Sequence, residues 1–477
     1  MPEQVAQGPK QVAKDPGQAA AGPGELEETR KTPARRSFQF NVATRFNPAG
    51  GVDLGTDELP ADTSDWMLVV GAGCTEKKIP LSAIEPARVP GMVVALVSSN
   101  DVDAVATAHG LSVVRQSALP SANLHLVVYA TSQNIFTTIA AMAADGRVDG
   151  AQPEHVFETT AEAGIAGATV AAEPAQRAYS DPFAAWTYGP DMTGARPLHA
   201  SASGAGQLIA VIDTGVDVGH PDLTGRLREP VDTTENGYAA ETHGTAVAGI
   251  IAAAVDNAIG SYGVAPAAEI LPIKACQPRK AGGLAARCTT SSLVKALDVA
   301  ITEDAGIINM SLAGPPDALL TRFVRLALDQ DRLLIAGAGN GGRQAKPAFP
   351  AAIPGVLAVT AVDANRGLYD QANRGDYIDL AAPGVDIISA TPGGQYPPLS
   401  GTSMAAAHVS GIAALLAELS PLMSPREVGL VLRANAKDLG APGADADFGA
   451  GLVDACRAAA MATADAVTCP GRETHAL

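Results

Sequence analysis

A hydroxyl, an imidazole, a carboxylate and a carboxamide each stand in this sequence where a strand gives way to a loop or where a helix begins. Ser403 lies in Leu399-Ser400-Gly401-Thr402-Ser403-Met404-Ala405-Ala406-Ala407-His408, ahead of Val409, Ile412, Leu415, Leu416 and Leu419. That apolar spacing is the mark of a buried helix, and the Ser-Gly-Thr-Ser turn is expected to cap its start. At such a start the free N–H groups and the positive end of the macrodipole favour a developing negative charge, as an acyl-transfer nucleophile requires. Asp213 follows the apolar run Leu208-Ile209-Ala210-Val211-Ile212, His243 opens a helix carrying Val247, Ile250 and Ile251, and Asn340 ends Leu333-Leu334-Ile335-Ala336-Gly337-Ala338-Gly339. Each alone is ordinary: Gly-Thr-Ser before a helix is usually plain capping, and a lone His is usually structural. Together, in these positions, they fit nucleophilic acyl transfer.

The elements that must hold these four residues alternate. Strands are expected at Leu208 to Ile212, Ile270 to Lys274, Ile307 to Leu312, Leu333 to Ala338, Val356 to Ala361 and Tyr377 to Ala381. Helices are expected at Thr242 to Ala254, Ser291 to Glu303, Leu319 to Leu328, Ser403 to Leu419 and Pro425 to Ala434. Continuous apolar strands alternating with helices imply an α/β fold, a parallel sheet covered on both faces, with the site at the C-terminal strand ends. Upstream, Pro90 to Val97, Leu111 to Val114, Leu124 to Ala130 and Val148 to Phe157 read as strands. With helices at Asp101 to His109 and Asn134 to Ala144, they suit a small α+β domain of ferredoxin-like kind. The expected organisation is a disordered segment 1–64, the small domain 65–158, an Ala- and Gly-rich linker 159–192, the α/β domain 193–460 and a tail 461–477.

The 477 residues are 47% hydrophobic, 17% charged and only 4% aromatic, with a net charge of -17. Such acidity argues against nucleic-acid binding, and no apolar run of about 18 residues suggests a membrane span. The N-terminus, Met1 to Ser37, has no apolar core of a signal peptide.

Three motifs resemble those of the subtilisin-like serine proteases: Ala210-Val211-Ile212-Asp213-Thr214-Gly215-Val216-Asp217, His243-Gly244-Thr245 with Ala248-Gly249, and Ser400-Gly401-Thr402-Ser403-Met404-Ala405. They occur in the order Asp, His, Ser known for subtilisin, and the likeness runs from about Gly194 to Ala460. The resemblance implies a serine endopeptidase acting on proteins or peptides, with Ser403 as nucleophile, His243 as base and then acid, and Asp213 as the orienting carboxylate. Asn340, with the Ser403 N–H, would form the oxyanion hole. Ser311, Leu312, Ala313 and Gly314 resemble the family's substrate-binding edge strand, and Ala348 lies near the pocket for the residue preceding the cut. Ala313 and Ala348 stand where relatives often carry Gly, so a preference for small residues is expected. The chain departs from the family at Ala246, usually His, and Ala407, usually Pro; His408 matches a His that packs behind the nucleophile.

The same resemblance reads the small domain, from Arg88-Val89-Pro90-Gly91 onward, as a propeptide that inhibits the enzyme and is removed by self-cleavage in the linker. No cofactor is expected for catalysis. Asp222 and Asn257 match the positions of a structural calcium site in many relatives. Five cysteines, Cys74, Cys276, Cys288, Cys456 and Cys469, leave two short-range pairs, 276 with 288 and 456 with 469, once the propeptide is gone. Paired cysteines favour a secreted or periplasmic protein, although this chain carries no signal peptide.

Two rival readings exist. Gly337-Ala338-Gly339-Asn340-Gly341-Gly342 with Asp363 matches a dinucleotide-binding pattern, but Pro347, Pro350 and Pro354 break the helix that pattern needs. The alternative to an enzyme is a catalytically silent binding module of the same fold.

Overall fold

A computed structural model describes residues 66–70, 76–80, 86–159, 162–163, 179–464 and 466–467. The disordered segment expected at 1–64 lies outside the described residues, as do Cys74 and Cys469.

Seven parallel strands form the central sheet, in the order Leu380–Pro383, Leu357–Val362, Leu333–Gly337, Ile307–Met310, Leu208–Asp213, Glu269–Lys274 and Val231–Asp232. Successive side chains of a strand point to opposite faces, so a strand covered on both must be apolar throughout. Ile209 and Val211 pack with helices Thr242–Ala252 and Thr402–Leu419, while Ala210 and Ile212 pack with helices Thr290–Thr302 and Ala318–Asp329. Helix Thr402–Leu419 is long and apolar enough to cross a membrane, yet it is a buried core helix.

Two strands of this sheet differ from those expected by more than one residue. The last strand begins at Leu380, not Tyr377, because the Tyr377 hydroxyl donates to the carbonyl of Ala338 and the Ile378 N–H closes a turn onto Gly375. Strand 307–310 stops before Ser311, which turns to bond the helix of Ser403, and pairing resumes at Leu312–Ala313.

The N-terminal region is a curled antiparallel sheet of Ser112–Leu119, Leu124–Ala130, Arg88–Val97 and Val148–Thr159. Val93, Ala95, Val97, Val127 and Tyr129 face its own helices Val102–His109 and Ile135–Ala143. Val94, Leu96, Leu126 and Val128 face the other way and join the core built by helices 290–302 and 318–329. The sheet then continues into the larger domain, where Val148–Thr159 pairs on one side with Ala286–Thr289 and on the other with Leu312–Ala313.

Candidate active site

The parallel sheet and two neighbouring helix starts build the site. Asp213 is the last residue of its strand, while His243 and Ser403 are each the second residue of a helix, and those two helices pack against each other. Asp213 and His243 are fully buried, and His243 Nδ1 lies 2.7 Å from Asp213 Oδ1, which also accepts the Thr214 N–H at 2.6 Å. A carboxylate can only accept, so the imidazole proton sits on Nδ1 and the lone pair on Nε2. Among the described residues neither His243 Nε2 nor Asp213 Oδ2 has a hydrogen-bond partner.

Ser403 Oγ donates to the Ser311 carbonyl at 3.2 Å, and Ser311 Oγ donates back to the Ser403 carbonyl at 3.2 Å. Asn309 Nδ2 donates to Ser311 Oγ at 2.9 Å and Ser410 Oγ donates to Asn309 Oδ1 at 3.0 Å, so the edge strand is tied to the helix of Ser403 by buried bonds. Asn340 Oδ1 accepts from the N–H of Thr402 at 3.1 Å and from its hydroxyl at 3.0 Å. Its acceptor end is thereby committed, and the Nδ2 end is what the amide can offer to an oxyanion.

The cap expected from the Ser-Gly-Thr-Ser turn is absent. Gly401, at φ 149°, is the N-cap and has no side chain to cap with, and the first N–H of the helix, that of Thr402, goes to Asn340 Oδ1 instead. Its neighbours' hydroxyls are engaged elsewhere: Ser400 Oγ accepts the Asp386 N–H, and Thr402 Oγ1 donates to Asn340 and accepts from Gly339. A side-chain cap would compete for the N–H groups that an oxyanion needs.

Two strands of the chain itself occupy the rims of this site. On one rim Leu312 pairs with Thr159 and Ala313 with Glu158; on the other Ser400 pairs with Glu162 and Leu399 with Ala163. Gly314, held to Phe349 by two backbone bonds of 2.9 and 3.0 Å, leaves the space that the buried Phe157 ring fills. A Cβ there would lie 2.1 Å from the ring. Ala348 is buried beside Gly339, whose own Cβ would come within 3.1 Å of the Ala348 methyl.

Residues 276–289 form a hairpin where no strand was expected. Cys276–Pro278 pairs with Ala286–Thr289, and a disulfide joins Cys276 to Cys288. The flanking cysteines and the Lys280-Ala281-Gly282-Gly283 turn were the signal for it. His408 is buried on the helix of Ser403 with Nδ1 donating to the Met404 carbonyl, and burial pushes its pKa down to about 4, so it is a neutral packing residue.

The calcium expectation meets a closed arrangement. Asp222 Oδ1 accepts from Asn257 Nδ2 at 2.8 Å and Oδ2 from the Tyr396 hydroxyl at 3.1 Å, while Asp181 accepts the N–H groups of Asp256 and Asn257. Asn257 Oδ1 accepts the Ile259 N–H, which fixes the amide with nitrogen, not oxygen, toward Asp222. Burial, reinforced by Asp181, raises the Asp222 pKa to about 6. So arranged, Asp222 and Asn257 direct a hydrogen bond at each other, whereas a calcium shell needs oxygen lone pairs directed at one point. The dinucleotide pattern also fails, since turns and not a helix follow Gly337.

The Subtilase family model matches residues 204–451. A thermophilic serine proteinase of Bacillus sp. (strain AK1) is 40% identical over 240 residues, 49% of this chain and 58% of that protein. Thermitase of Thermoactinomyces vulgaris is 36% identical over 243 residues, 50% of this chain and 85% of thermitase. The crystal structure of fervidolysin from Fervidobacterium pennivorans, described as a keratinolytic enzyme related to subtilisin, superposes with a TM-score of 0.67. It covers 81% of this chain and 62% of its own at 24% identity, a likeness of fold alone.

Proposed function

Since the chain belongs to the subtilase family, whose pattern covers more than half of it, we propose that it is a serine endopeptidase made as a zymogen. The observation that carries this reading is the buried Asp213–His243 bond with Nε2 unpartnered among the described residues, on a helix that packs against the helix opened by Ser403.

In the proposed reaction Ser403 Oγ attacks the peptide carbonyl while His243 Nε2 takes its proton. Asp213 stabilises the resulting imidazolium and keeps the ring oriented. The carbonyl oxygen becomes an oxyanion held by Asn340 Nδ2 and the Ser403 N–H. Collapse breaks the C–N bond, His243 gives its proton to the leaving amine, and the acyl-enzyme remains. Water then repeats the sequence and releases the acid. The site needs no cofactor for these steps.

The small domain, whose strand order suits the ferredoxin-like kind, is read as the propeptide. Support comes from the two rims, which pair with residues 158–159 and 162–163 as with an extended substrate. Thr159 is the last residue paired on one side and Glu162 the first on the other, so the self-cleavage site is assigned to the bond midway between them, Thr160–Ala161. A Thr before the cut agrees with the small pocket expected from Ala313 and Ala348. Labelling with a serine-reactive fluorophosphonate tests the reading: an active protease is labelled at Ser403, whereas a silent binding module is not. Sequencing the new N-terminus of the processed chain tests the assigned bond, with Ala161 as the expected first residue.

A further inference from the structure

The hairpin closed by Cys276–Cys288 touches the segment on the rim with more than its backbone. The Thr159 hydroxyl donates to the Leu284 carbonyl at 2.7 Å and accepts the Ala286 N–H at 3.0 Å. Thr159 and Ala286 are both buried. The hydroxyl therefore both donates to and accepts from backbone atoms of the hairpin, and the bond from Ala286 is buried. One residue earlier, the Glu158 carboxylate pairs with Arg279 of the same hairpin, with both side chains about half exposed.

From this geometry we infer that the hairpin reads substrate sequence: it selects a hydroxyl-bearing residue, Thr or Ser, two positions before the cut. This rests on the protease reading and on the assigned Thr160–Ala161 bond. The selection comes from hydrogen bonding and not from size. A Val at that position has the shape of Thr but leaves the buried Ala286 N–H and the Leu284 carbonyl without partners. Removing one partner of a buried pair costs more than the net value of the bond, so the two together are worth about tenfold in kcat/KM. The Arg279 pair lies in solvent, where an ion pair contributes little, and its effect is at most about threefold.

Peptides with the chain's own sequence, Val-Phe-Glu-Thr-Thr-Ala-Glu-Ala, provide the test on the self-processed full chain, with casein as a sequence-independent substrate. Replacing the first Thr by Val is expected to lower kcat/KM about tenfold, by Ser to leave it within about threefold, and replacing Glu by Gln to change it by less than about threefold. The position of each cut is read by mass spectrometry. If casein is cut but the Thr and Val peptides are cut equally fast, the hairpin inference is overturned and the protease reading survives. If casein is not cut at all, both fall. If the cut falls elsewhere in the peptide, the register is wrong and the inference falls with it. Because the Thr is changed in the free peptide and not in the chain, a merely structural role for Thr159 would leave every rate unchanged.

Discussion

Two buried polar clusters of this molecule follow opposite rules. Where the small domain docks, donors and acceptors are matched almost completely. Gln152 Oε1 takes the Ala318 and Leu319 N–H groups at a helix start, while its Nε2 donates to Asp317. Asp317 also accepts from His155 and Thr290, and Asp298 takes both the N–H and the hydroxyl of Ser121. At the candidate active site, by contrast, Asp213 Oδ2 and His243 Nε2 are buried without partners among the described residues, and the helix of Ser403 begins at a glycine that offers no cap. A buried polar atom left unpaired costs about 1–3 kcal/mol. The docking face avoids that cost and the reactive centre carries it, which is what separates a contact from a site that must accept a proton.

The sharpest way to break this comparison is to remove the group the open site serves. Ser403→Ala is expected to lower kcat by about 10⁶ and to leave the chain uncut at Thr160–Ala161. Electrophoresis would then show a single species at the full 48.2 kDa. A cut chain in this variant, purified away from other proteases, would sink the self-cleavage reading.

Asn340→Ala tests the next group. The fold should persist, because Thr402 keeps its hydroxyl bond to Gly339, while kcat falls by about 10²–10³, the size found for the matching amide of subtilisin. Unchanged kcat with raised KM would move Asn340 from transition-state stabilisation to substrate binding.

On the docking side the largest single effect should come from Phe157. Phe157→Ala empties the space left by Gly314, and loss of a buried Phe costs about 3–5 kcal/mol. The cut small domain should then leave at least about 10²-fold more readily, measured as its inhibition constant in the self-processed mixture. Equal inhibition by both forms would mean that the helix-capping bonds, and not the ring, hold the domain.

The residues proposed for catalysis stood out in the sequence because each sits in a local context that strand and helix periodicity exposes. Asp213 ends an apolar run, and His243 and Ser403 open apolar helices. The rims were less legible. The pairing of Glu158 with Ala313 or of Glu162 with Ser400 joins segments more than 150 residues apart, and no local pattern encodes such register. The cap was misread for a related reason: Ser400 and Thr402 have the right hydroxyls, but Asp386 and Asn340, distant in sequence, engage them first.

The smallest effect concerns the one acid of the docking face that is not fully matched. Glu154 Oε1 accepts from Ser291, with Arg115 3.7 Å away, but Oε2 is buried without a partner among the described residues. Burial raises its pKa above the ordinary 4.5, outweighing the hydrogen bonds from Ser291 and the pull of Arg115. The docked state therefore holds a proton that the undocked state releases, so docking is strongest below about pH 4.5 and weakens as pH rises toward the raised value. His155 and Asp317 stand on the same face and are paired with each other, so they remain in both forms compared. Glu154→Gln carries no titrating charge and should flatten the pH dependence of the inhibition constant in that window, with a change of a few-fold at neutral pH. The measurement is that constant from pH 4 to 8 for both forms. Parallel slopes would mean that Glu154 does not set the pH dependence of docking.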